Sequence, residues 1–258
     1  MQEYNNKEIT YIATISGGKD SVAMCDLLLK NGYPVDYIIF NDTLGEFEEM
    51  YNYLEDIKKH FYNKYGKKII TTTPIRSFKD AILTTVKRSK KESRNGQFVG
   101  IPVPIKGDAQ CHLRKTLKIN PFEKWIRKNI KGDYKIYKGY TTKEIKRLPK
   151  EKKNDIYPLI EYFNMSERDC LKYLKEQGLE NILYKYFNRT GCELCPYKTR
   201  DDWENIYHYF RDTWEKAKEI EKELQKKQKE YCYFFGNKPL EEWEVSFNQG
   251  RLVEPKDL

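Results

Sequence analysis

An apolar run, a glycine turn and a helix-like run follow one another near the amino end, and this order constrains the fold more than any other feature. Residues 9–15 are apolar, residues 16–21 read S-G-G-K-D-S, and apolar residues recur at helical spacing over 21–30 before Gly32. Glycines let backbone N–H groups approach an anion, and a helix start offers unpaired N–H groups and a positive dipole end. The turn is therefore a predicted phosphate site.

The residue types in this turn favour phosphate, although the spacing is not that of a Walker A loop. No G-x-x-x-x-G-K-[ST] pattern is present. Ser16 and Ser21 add hydroxyl donors, and Lys19 adds a positive charge. The alternative is an ordinary strand–helix turn, because S-G-G is common in loops. The position of the turn between a predicted buried strand and a predicted helix favours the phosphate site.

The same alternation continues through the first half of the chain. Residues 35–40, 68–73 and 134–140 are strand-like, and residues 47–61 and 77–86 carry apolar side chains at helical spacing. This order is typical of βαβ units. The predicted fold class is α/β, with a parallel sheet flanked by helices. Ligands bind beyond the carboxyl ends of the strands in such sheets, which is where the glycine turn would lie.

The second half of the chain is less regular. Residues 86–97 are basic and polar without periodicity, which predicts a mobile loop. Pro121 predicts the start of a helix. From about Asp202, the apolar residues predict one long amphipathic helix whose apolar stripe packs in the core. The tail from about Asn237 shows little pattern.

A capping signal marks a predicted boundary between two regions. Ser166 is placed as an N-cap, with Asp169 three residues later and Gly178 as the terminator. We predict a nucleotide-binding α/β domain over residues 1–165. Residues 166–258 form a predicted helical C-terminal region that carries a C-x-x-C motif and the long amphipathic helix.

Composition bounds the class of protein. The chain has 258 residues, a formal net charge of +9 and 34% charged residues. A positive charge favours polyanionic partners such as nucleotides or nucleic acid, but solvated Lys/Glu faces would also give it. No run approaches the ~20 apolar residues of a membrane span, and the first ten residues lack an apolar signal core. We therefore expect a cytoplasmic protein with reduced cysteines and no membrane contact.

The glycine turn resembles a known signature. S-G-G-K-D-S at residues 16–21 is similar to the PP-loop motif S-G-G-x-D-S of the adenine nucleotide α-hydrolase superfamily. The resemblance implies a Rossmann-like sheet and cleavage of ATP between its α and β phosphates. The loop would hold pyrophosphate while AMP passes to an acceptor.

Further segments narrow the resemblance to the phosphoadenylylsulfate (PAPS) reductase branch. They are IIFNDTLGEFEEMYNYL (38–54), CHLRKTLKINPFEKWI (111–126), YKGYTTKEIKRL (137–148), YPLIEYFNMSERDCLKYLKEQGL (157–179) and FNRTGCELCPYK (187–198). The last segment is similar to a clostridial and phage subgroup that ends in R-x-x-C-x-x-C-P.

The resemblance implies roles for individual residues. The nucleotide-binding candidates are Ser16, Gly17, Gly18, Lys19, Asp20, Ser21, Phe40, Arg114 and Lys115. The catalytic candidates are Lys19, Asp20 and Asp42. Either aspartate would suit the Mg²⁺ ion that bridges the phosphates of ATP, because hard carboxylate oxygens suit that metal.

Three cysteines are candidate metal ligands. Cys192 and Cys195 form C-x-x-C, a spacing at which two thiolates can face one metal. A redox pair or two unmetallated thiols would also explain the motif. In the family, this motif works with an earlier cysteine pair to hold a [4Fe-4S] cluster. Here the earlier site has only Cys111.

This departure leaves two metal sites to consider. A three-cysteine cluster would have one iron open to sulfide or substrate, whereas His112 would complete a Cys₃His zinc site. We favour the cluster. The cysteines at positions 25, 170 and 232 are expected to pack in the core, with Cys232 an outside candidate for a fourth ligand.

The sequence leaves three functions open. The first is adenylation of an acceptor with sulfur transfer to nucleic acid, either tRNA or DNA, with a sulfur donor protein as a further partner. The second is a sulfonucleotide reductase, although no E-C-G-[IL]-H motif follows Cys232. The third is a non-catalytic nucleotide-binding module of a phage or defence system.

Overall fold

Five parallel strands form the centre of the molecule. The computed structural model describes residues 9–88, 90–102, 111–149, 154–228, 230, 232–249 and 255. Its strands are β1 (Thr10–Ile15), β2 (Tyr37–Asn41), β3 (Ile69–Thr72), β4 (Tyr134–Tyr137) and β5 (Asp155–Ile156), in the spatial order β3-β2-β1-β4-β5. Ile15 pairs with Phe40, and Ala13 pairs with Tyr137. This topology confirms the predicted Rossmann-like α/β fold.

Helices connect and cover the strands. They are α1 (Lys19–Lys30), α2 (Glu48–Tyr65), α3 (Phe78–Thr84), α4 (His112–Arg114), α5 (Asn120–Asn129), α6 (Pro158–Glu161), α7 (Glu167–Gln177), α8 (Arg200–Tyr209), α9 (Arg211–Gln225) and α10 (Leu240–Gln249). Within the described ranges, none of these helices combines the length and apolar character that crossing a bilayer requires.

The sheet buries apolar residues on both faces. On one face, Ile12, Ile39 and Ile136 pack with Ile126 of α5. A larger cluster on the other face joins side chains of α1 and α2 to those of α7, α8 and α9. This larger cluster contains residues from both sides of position 165, and the division of the chain there stays a prediction.

A buried carboxylate fixes α7 against α1. Asp26 of α1 is fully buried and accepts hydrogen bonds from Tyr173 of α7 (2.5 Å) and Tyr65 of α2 (2.8 Å). Its Oδ1 atom also lies 2.9 Å from His60 Nε2 and 3.5 Å from Lys64 Nζ. Burial alone would raise the pKa of Asp26, but the bonds from Tyr173, His60 and Tyr65 lower it overall.

The predicted caps of α7 are confirmed. The Ser166 hydroxyl accepts a hydrogen bond from the Asp169 N–H, and the Asp169 carboxylate accepts one from the Ser166 N–H in return. Gly178 ends the helix in the left-handed conformation, with φ of +65°. The position of α7 along the chain was therefore predictable from local sequence.

The helix predicted to open at Pro121 is confirmed as α5, which begins one residue earlier, at Asn120, with the proline in its first turn. Helical backbone also precedes it, because α4 starts at His112 and leads through a π-helical turn, Lys115–Ile119, into α5. Proline lacks the N–H that an α-helix would use for the bond to the residue four positions back, and it clashes with that carbonyl. A wider π turn directly before Pro121 lets the helix continue through it.

The C-terminal predictions are wrong in two respects. The predicted single long helix is two helices, because Phe210 leaves helical geometry at φ −132° and ψ 59°. Its apolar stripe does pack in the core, where Trp203 and Trp214 are fully buried. The tail forms α10, which buries Leu240 and Phe247 against the preceding helices. These apolar residues lie at helical spacing, although polar residues between them obscure it.

The basic segment is a short hairpin rather than an unstructured loop. Val86 and Phe98 form an antiparallel bridge, and the Lys87 N–H donates to the Gln97 carbonyl at 2.8 Å. The Gly96 N–H closes the turn by donating to the Lys87 carbonyl at 3.0 Å. Paired backbone groups hold this segment together despite its polar side chains.

Candidate nucleotide-binding cleft

The glycine turn lies at the carboxyl end of β1, directly before α1. The helix begins at Lys19 rather than at Ser21, two residues earlier than predicted. Gly17 has φ of +75°, and a Cβ built there would lie 2.3 Å from the Met50 sulfur. The left-handed backbone conformation favours glycine at this position, and any larger residue would also have to displace the Met50 side chain.

A second glycine brings the turn after β4 against the same loop. A Cβ on Gly139 would lie 2.9 Å from Ser21 Cα and 3.0 Å from Ser21 N. The backbone after β4 thus touches the first turn of α1. The following 3₁₀ helix, Thr142–Arg147, is consequently positioned beside the phosphate loop.

Internal hydrogen bonds order the loop. The Ser16 N–H donates to the Ser21 hydroxyl at 3.0 Å, and that hydroxyl donates to the Gly18 carbonyl at 2.9 Å. The Lys19 N–H donates to the Tyr184 hydroxyl at 2.8 Å. Tyr184 comes from a 3₁₀ helix far along the chain, Ile182–Lys185, so the loop is held from outside its own segment.

The loop opens on a cleft of about 230 Å³. Three basic side chains line it, those of Lys19, Arg147 and Arg189. The remaining lining residues are Ser16, Gly18, Asp20, Glu144, Glu167, Tyr184 and Thr190. Hydroxyl, ammonium and guanidinium donors therefore face one space at the edge of the sheet where ligands bind in this fold class.

Two of the three cations form ion pairs with carboxylates. Lys19 Nζ lies 3.0 Å from Glu167 Oε2 and 3.9 Å from Asp20 Oδ2. Arg147 pairs with Glu144. The Lys19 side chain is only 9% exposed, whereas that of Glu167 is 42% exposed. The cation is thus fixed in the wall, and its partner reaches in from the solvent side.

Burial shapes the charges at the base of the cleft. It raises the pKa of Asp20 to about 6, with Lys19 acting in the opposite direction and Glu167 and Glu144 adding to the rise. Burial alone would lower the pKa of Lys19, but the groups around it, led by Tyr184, raise it overall. Lys19 therefore stays charged at neutral pH.

The other nucleotide-binding and catalytic candidates lie outside this lining. Phe40 is buried at the end of β2, beside Ile15. Asp42 accepts hydrogen bonds from the Leu44 N–H (2.8 Å) and the Tyr51 hydroxyl (2.9 Å), so it supports the turn after β2. Arg114 and Lys115 are exposed on the helix that starts at His112. None of these four residues lines the cleft.

The three candidate cysteines each interact electrostatically with one lysine. Lys118 interacts electrostatically with Cys192, Cys195 and Cys111, and its Nζ lies 3.8 Å from Glu46 Oε1. Burial opposes the charge on Lys118, but these neighbours raise its pKa overall. We call these five residues the cysteine cluster.

Hydrogen bonds join Cys192 to the turn after β2. The Thr43 hydroxyl donates to Glu46 Oε1 at 2.8 Å and lies 3.7 Å from the Cys192 sulfur. Burial, followed by the Glu46 carboxylate, raises the pKa of Cys192 to about 12. Without a metal, this thiol is protonated at neutral pH.

The cysteine cluster does not form a metal-ligand set in this structure. In the described ranges, which leave out residues 103–110 beside Cys111, no group of three or more His, Cys, Asp or Glu side chains is placed to hold a metal ion. A zinc site or a cubane needs thiolates aimed at one point, and the described positions of these side chains do not meet that requirement. His112 has a buried Nε2 atom without a hydrogen-bond partner there, but it does not complete a set.

Comparison with known proteins identifies the family. The family model for the phosphoadenosine phosphosulfate reductase domain matches residues 10–198. The chain belongs to this family. The match begins at β1 and ends just after the C-x-x-C motif, so it includes both the cleft and the cysteine cluster.

Individual relatives resemble the chain more distantly. An uncharacterized protein of Methanocaldococcus jannaschii is 28% identical over 228 residues, which are 84% of this chain and 42% of that protein. The chain therefore spans less than half the length of this curated relative. A solved structure of phosphoadenylyl-sulfate (PAPS) reductase from Candida auris, a phosphate complex, covers 72% of this chain and 82% of its own, with 17% identity and a TM-score of 0.47.

Membership of the phosphoadenosine phosphosulfate reductase family accounts for the loop but not for every residue of the cleft. Sequence reasoning missed Glu167 and Tyr184. Glu144 and Arg147 stand in a segment that resembles the family, where an acidic and a basic residue follow Gly139, and this spacing was a usable signal. Tyr184 had no such signal, because only the fold brings it to Lys19.

Proposed function

We propose that the chain binds MgATP in the cleft and transfers the adenylyl group to an acceptor, with release of pyrophosphate. The main support is the loop of residues 16–21, which meets the cleft where Lys19, Arg147 and Arg189 converge. Family membership supports use of an adenine nucleotide. The lining holds three cations and three carboxylates, so the cations are available to a phosphate ligand that displaces the carboxylates from Lys19 and Arg147.

The proposed reaction is a displacement at the α-phosphorus. A nucleophilic atom of the acceptor forms a bond to this phosphorus, and the bond to the oxygen that bridges the α and β phosphates breaks. The electron pair leaves with pyrophosphate. Lys19, fixed in the wall, neutralises the charge that builds on this leaving group, and the Ser16 hydroxyl donates to it. Asp20 is the proposed contact for the Mg²⁺ ion that arrives with ATP.

Nucleic acid is the proposed acceptor, with sulfur as the group finally installed. Residues 86–97 present five basic side chains and one acidic side chain on the hairpin. Four of the basic residues, at positions 88, 90, 91 and 94, are exposed. Phosphate backbones bind such surfaces. In the second step, sulfide-level sulfur supplied by a donor protein would form a bond to the acceptor atom that bears the adenylated group, the bond from that atom to AMP would break, and AMP would leave with the electron pair.

A metal at the cysteine cluster is a separate proposal. Three cysteines near one another favour a [4Fe-4S] cluster with an open iron, or zinc with His112, but the thiols would have to reorient to hold either one. Anaerobically purified protein should contain iron and acid-labile sulfide, and Cys192→Ser should remove both. Colourless protein with stoichiometric zinc would contradict the iron–sulfur proposal, and metal-free protein would contradict both metals.

Nucleotide turnover gives the direct test of the main proposal. We expect ATP labelled at the α-phosphorus, incubated with tRNA or DNA and a sulfide source, to yield labelled AMP together with pyrophosphate. Lys19→Met is the matched loss-of-function control. Release of ADP and phosphate would contradict the proposal. Sulfite release from phosphoadenylylsulfate would favour the reductase, and ATP binding without turnover with any acceptor would favour a binding module.

A further inference from the structure

We infer that Glu167 determines which anions the cleft accepts, because its carboxylate holds the position on Lys19 that a nucleotide phosphate would take. This inference rests on the proposed function, since it assumes that Lys19 contacts phosphate. Glu167 would therefore act as a competitor of the ligand rather than as part of its binding site.

The two side chains are in close contact, but Lys19 is much more buried than Glu167. Glu167 Oε2 lies 3.0 Å from Lys19 Nζ, within hydrogen-bond distance. Lys19 is fixed by burial and by its position 5.0 Å above the Tyr184 ring, whereas the Glu167 side chain is nearly half exposed. A phosphate that enters the cleft meets a cation that stays in place and a carboxylate that can turn out into solvent.

The backbone of Glu167 is anchored independently of its carboxylate. The Ser166–Asp169 capping box holds the first turn of α7, and Tyr173 ties the helix to Asp26 of α1. The Glu167 side chain is therefore not needed to start α7 or to dock it. This leaves the carboxylate able to exchange partners without a change in the fold.

A second ion pair in the cleft adds to the expected preference for polyphosphates over ligands with one phosphate. Arg147 is paired with Glu144 in the same cleft, and its side chain is 58% exposed. A ligand with one phosphate replaces one carboxylate at most. A pyrophosphate or triphosphate can replace both and also reach Arg189. The carboxylates therefore disfavour singly phosphorylated ligands and favour polyphosphates.

Two other roles for Glu167 predict the opposite effect. If Glu167 orients Lys19 for the ligand, then neutralising it weakens binding of every phosphate ligand. If it helps to hold the magnesium ion that accompanies ATP, then neutralising it weakens MgATP but not metal-free ATP. Competition alone predicts tighter binding after neutralisation.

The test compares Glu167→Gln with a charge-matched control on the same helix. Glu176→Gln also removes one negative charge from α7, but Glu176 faces away from the cleft and pairs with Lys172 at 3.9 Å. Calorimetric titrations of each protein would use ATP, inorganic pyrophosphate and inorganic phosphate, with and without Mg²⁺. The full chain is used throughout.

We expect Glu167→Gln to bind ATP and pyrophosphate about two- to fivefold more tightly, which is the range for a half-exposed ion pair. The gain should be larger for inorganic phosphate, so that the ratio of pyrophosphate affinity to phosphate affinity falls, whereas an equal gain for both ligands would contradict a role in selectivity. Glu176→Gln should match the wild type. The melting temperature reports whether either variant has lost stability.

Each other outcome has a defined meaning. Equal or weaker ATP binding by folded Glu167→Gln overturns the inference and leaves the proposed function intact. An equal gain in Glu176→Gln also overturns it, because the effect would then come from net charge. If the wild type binds neither ATP nor pyrophosphate, the assignment of the cleft as a phosphate-binding site is wrong, and the inference about Glu167 fails with it.

Discussion

Charged groups serve different purposes at the rim of the cleft and among the C-terminal helices. At the rim, Glu167 and Arg147 are roughly half exposed, and each has an oppositely charged neighbour. Among the C-terminal helices, Glu221 is 1% exposed and accepts hydrogen bonds from the Phe234 and Leu240 N–H groups, both at 2.8 Å. The first set of contacts can exchange with solvent or ligand, whereas the second holds the chain together.

The comparison indicates that the rim residues act mainly in ligand binding, whereas the buried residues of the C-terminal helices act mainly in stability. Ion pairs at a hydrated rim contribute little to folding, because water competes for both partners. A buried carboxylate bonded to two backbone donors is part of the core, and removing it leaves those donors unsatisfied. We therefore expect changes at the rim to alter binding with little effect on unfolding, and changes in α8–α10 to do the reverse.

The largest predicted effect on unfolding comes from the aromatic core. Trp214→Ala should lower the free energy of unfolding by about 3–5 kcal/mol, because Trp214 is fully buried against Trp203 and Phe247. Urea titration measures the loss. Tyr62→Ala, at a half-exposed aromatic residue of α2, should change it by no more than about 0.5 kcal/mol. A changed ATP dissociation constant in still-folded Trp214→Ala would break the separation.

The counterpart in the cleft is Lys19→Met, at the buried cation that the rim carboxylate of Glu167 contacts. Turnover should fall by about 10²–10³-fold, as for loss of one preorganised charge at a leaving group. The free energy of unfolding should change little, because the substitution also removes a charge that burial disfavours. Pyrophosphate release and urea titration give the two measurements. Lys172→Met, at an exposed lysine of α7, is the control and should retain both values.

An intermediate effect is expected from pH. Burial raises the pKa of Glu221 to about 7, above the ordinary glutamate value of 4.5. The folded state therefore binds a proton that the unfolded state has already lost, so the stabilising contribution is complete below pH 4.5 and declines as pH rises toward 7. Between pH 5 and 7, this residue should lower the free energy of unfolding by about 2 kcal/mol.

Glu221→Gln checks that assignment. The amide oxygen can accept from only one of the two backbone N–H groups, so the variant should be less stable at every pH, but its side chain does not titrate. The variant should therefore show a shallower loss of stability than the wild type when urea titrations at pH 5 and pH 7 are compared. ATP binding at the rim should have the same pH dependence in both proteins. Identical pH profiles of stability would show that Glu221 is not the titrating group.

Local signals were enough for the centre of the fold but not for the partners that complete the cleft. The strand, glycine turn and helix from β1 to α1 are specified by adjacent residues, as is the start of α7 at Ser166. The π turn before Pro121 and the break at Phe210 depend on packing that local periodicity does not record. Tyr184 reaches Lys19 from 165 residues away, a contact set by topology alone.

The cysteine cluster also shows that local sequence does not predict every neighbour of a candidate site. Spacing and resemblance drew attention to Cys111, Cys192 and Cys195, and the fold does bring them together. No pattern indicated that Lys118 interacts with all three, because its position follows from the helix that continues through Pro121. Cys195 interacts electrostatically with both Cys111 and Cys192, while the role of the three thiols as metal ligands stays a prediction.

The smallest predicted effect tests whether the two kinds of region are joined through α7. Tyr173→Phe removes one hydrogen bond to Asp26, while His60 and Tyr65 still contact that carboxylate, so the free energy of unfolding should fall by about 1 kcal/mol. ATP affinity should stay within about twofold, less than the expected effect of a rim ion pair, because the capping box at Ser166 holds Glu167 in place without Tyr173. An affinity gain as large as that expected for Glu167→Gln would mean that α7 itself moves when the cleft fills. The rim would then depend on core packing, and the separation between binding and stability would hold only for α8–α10.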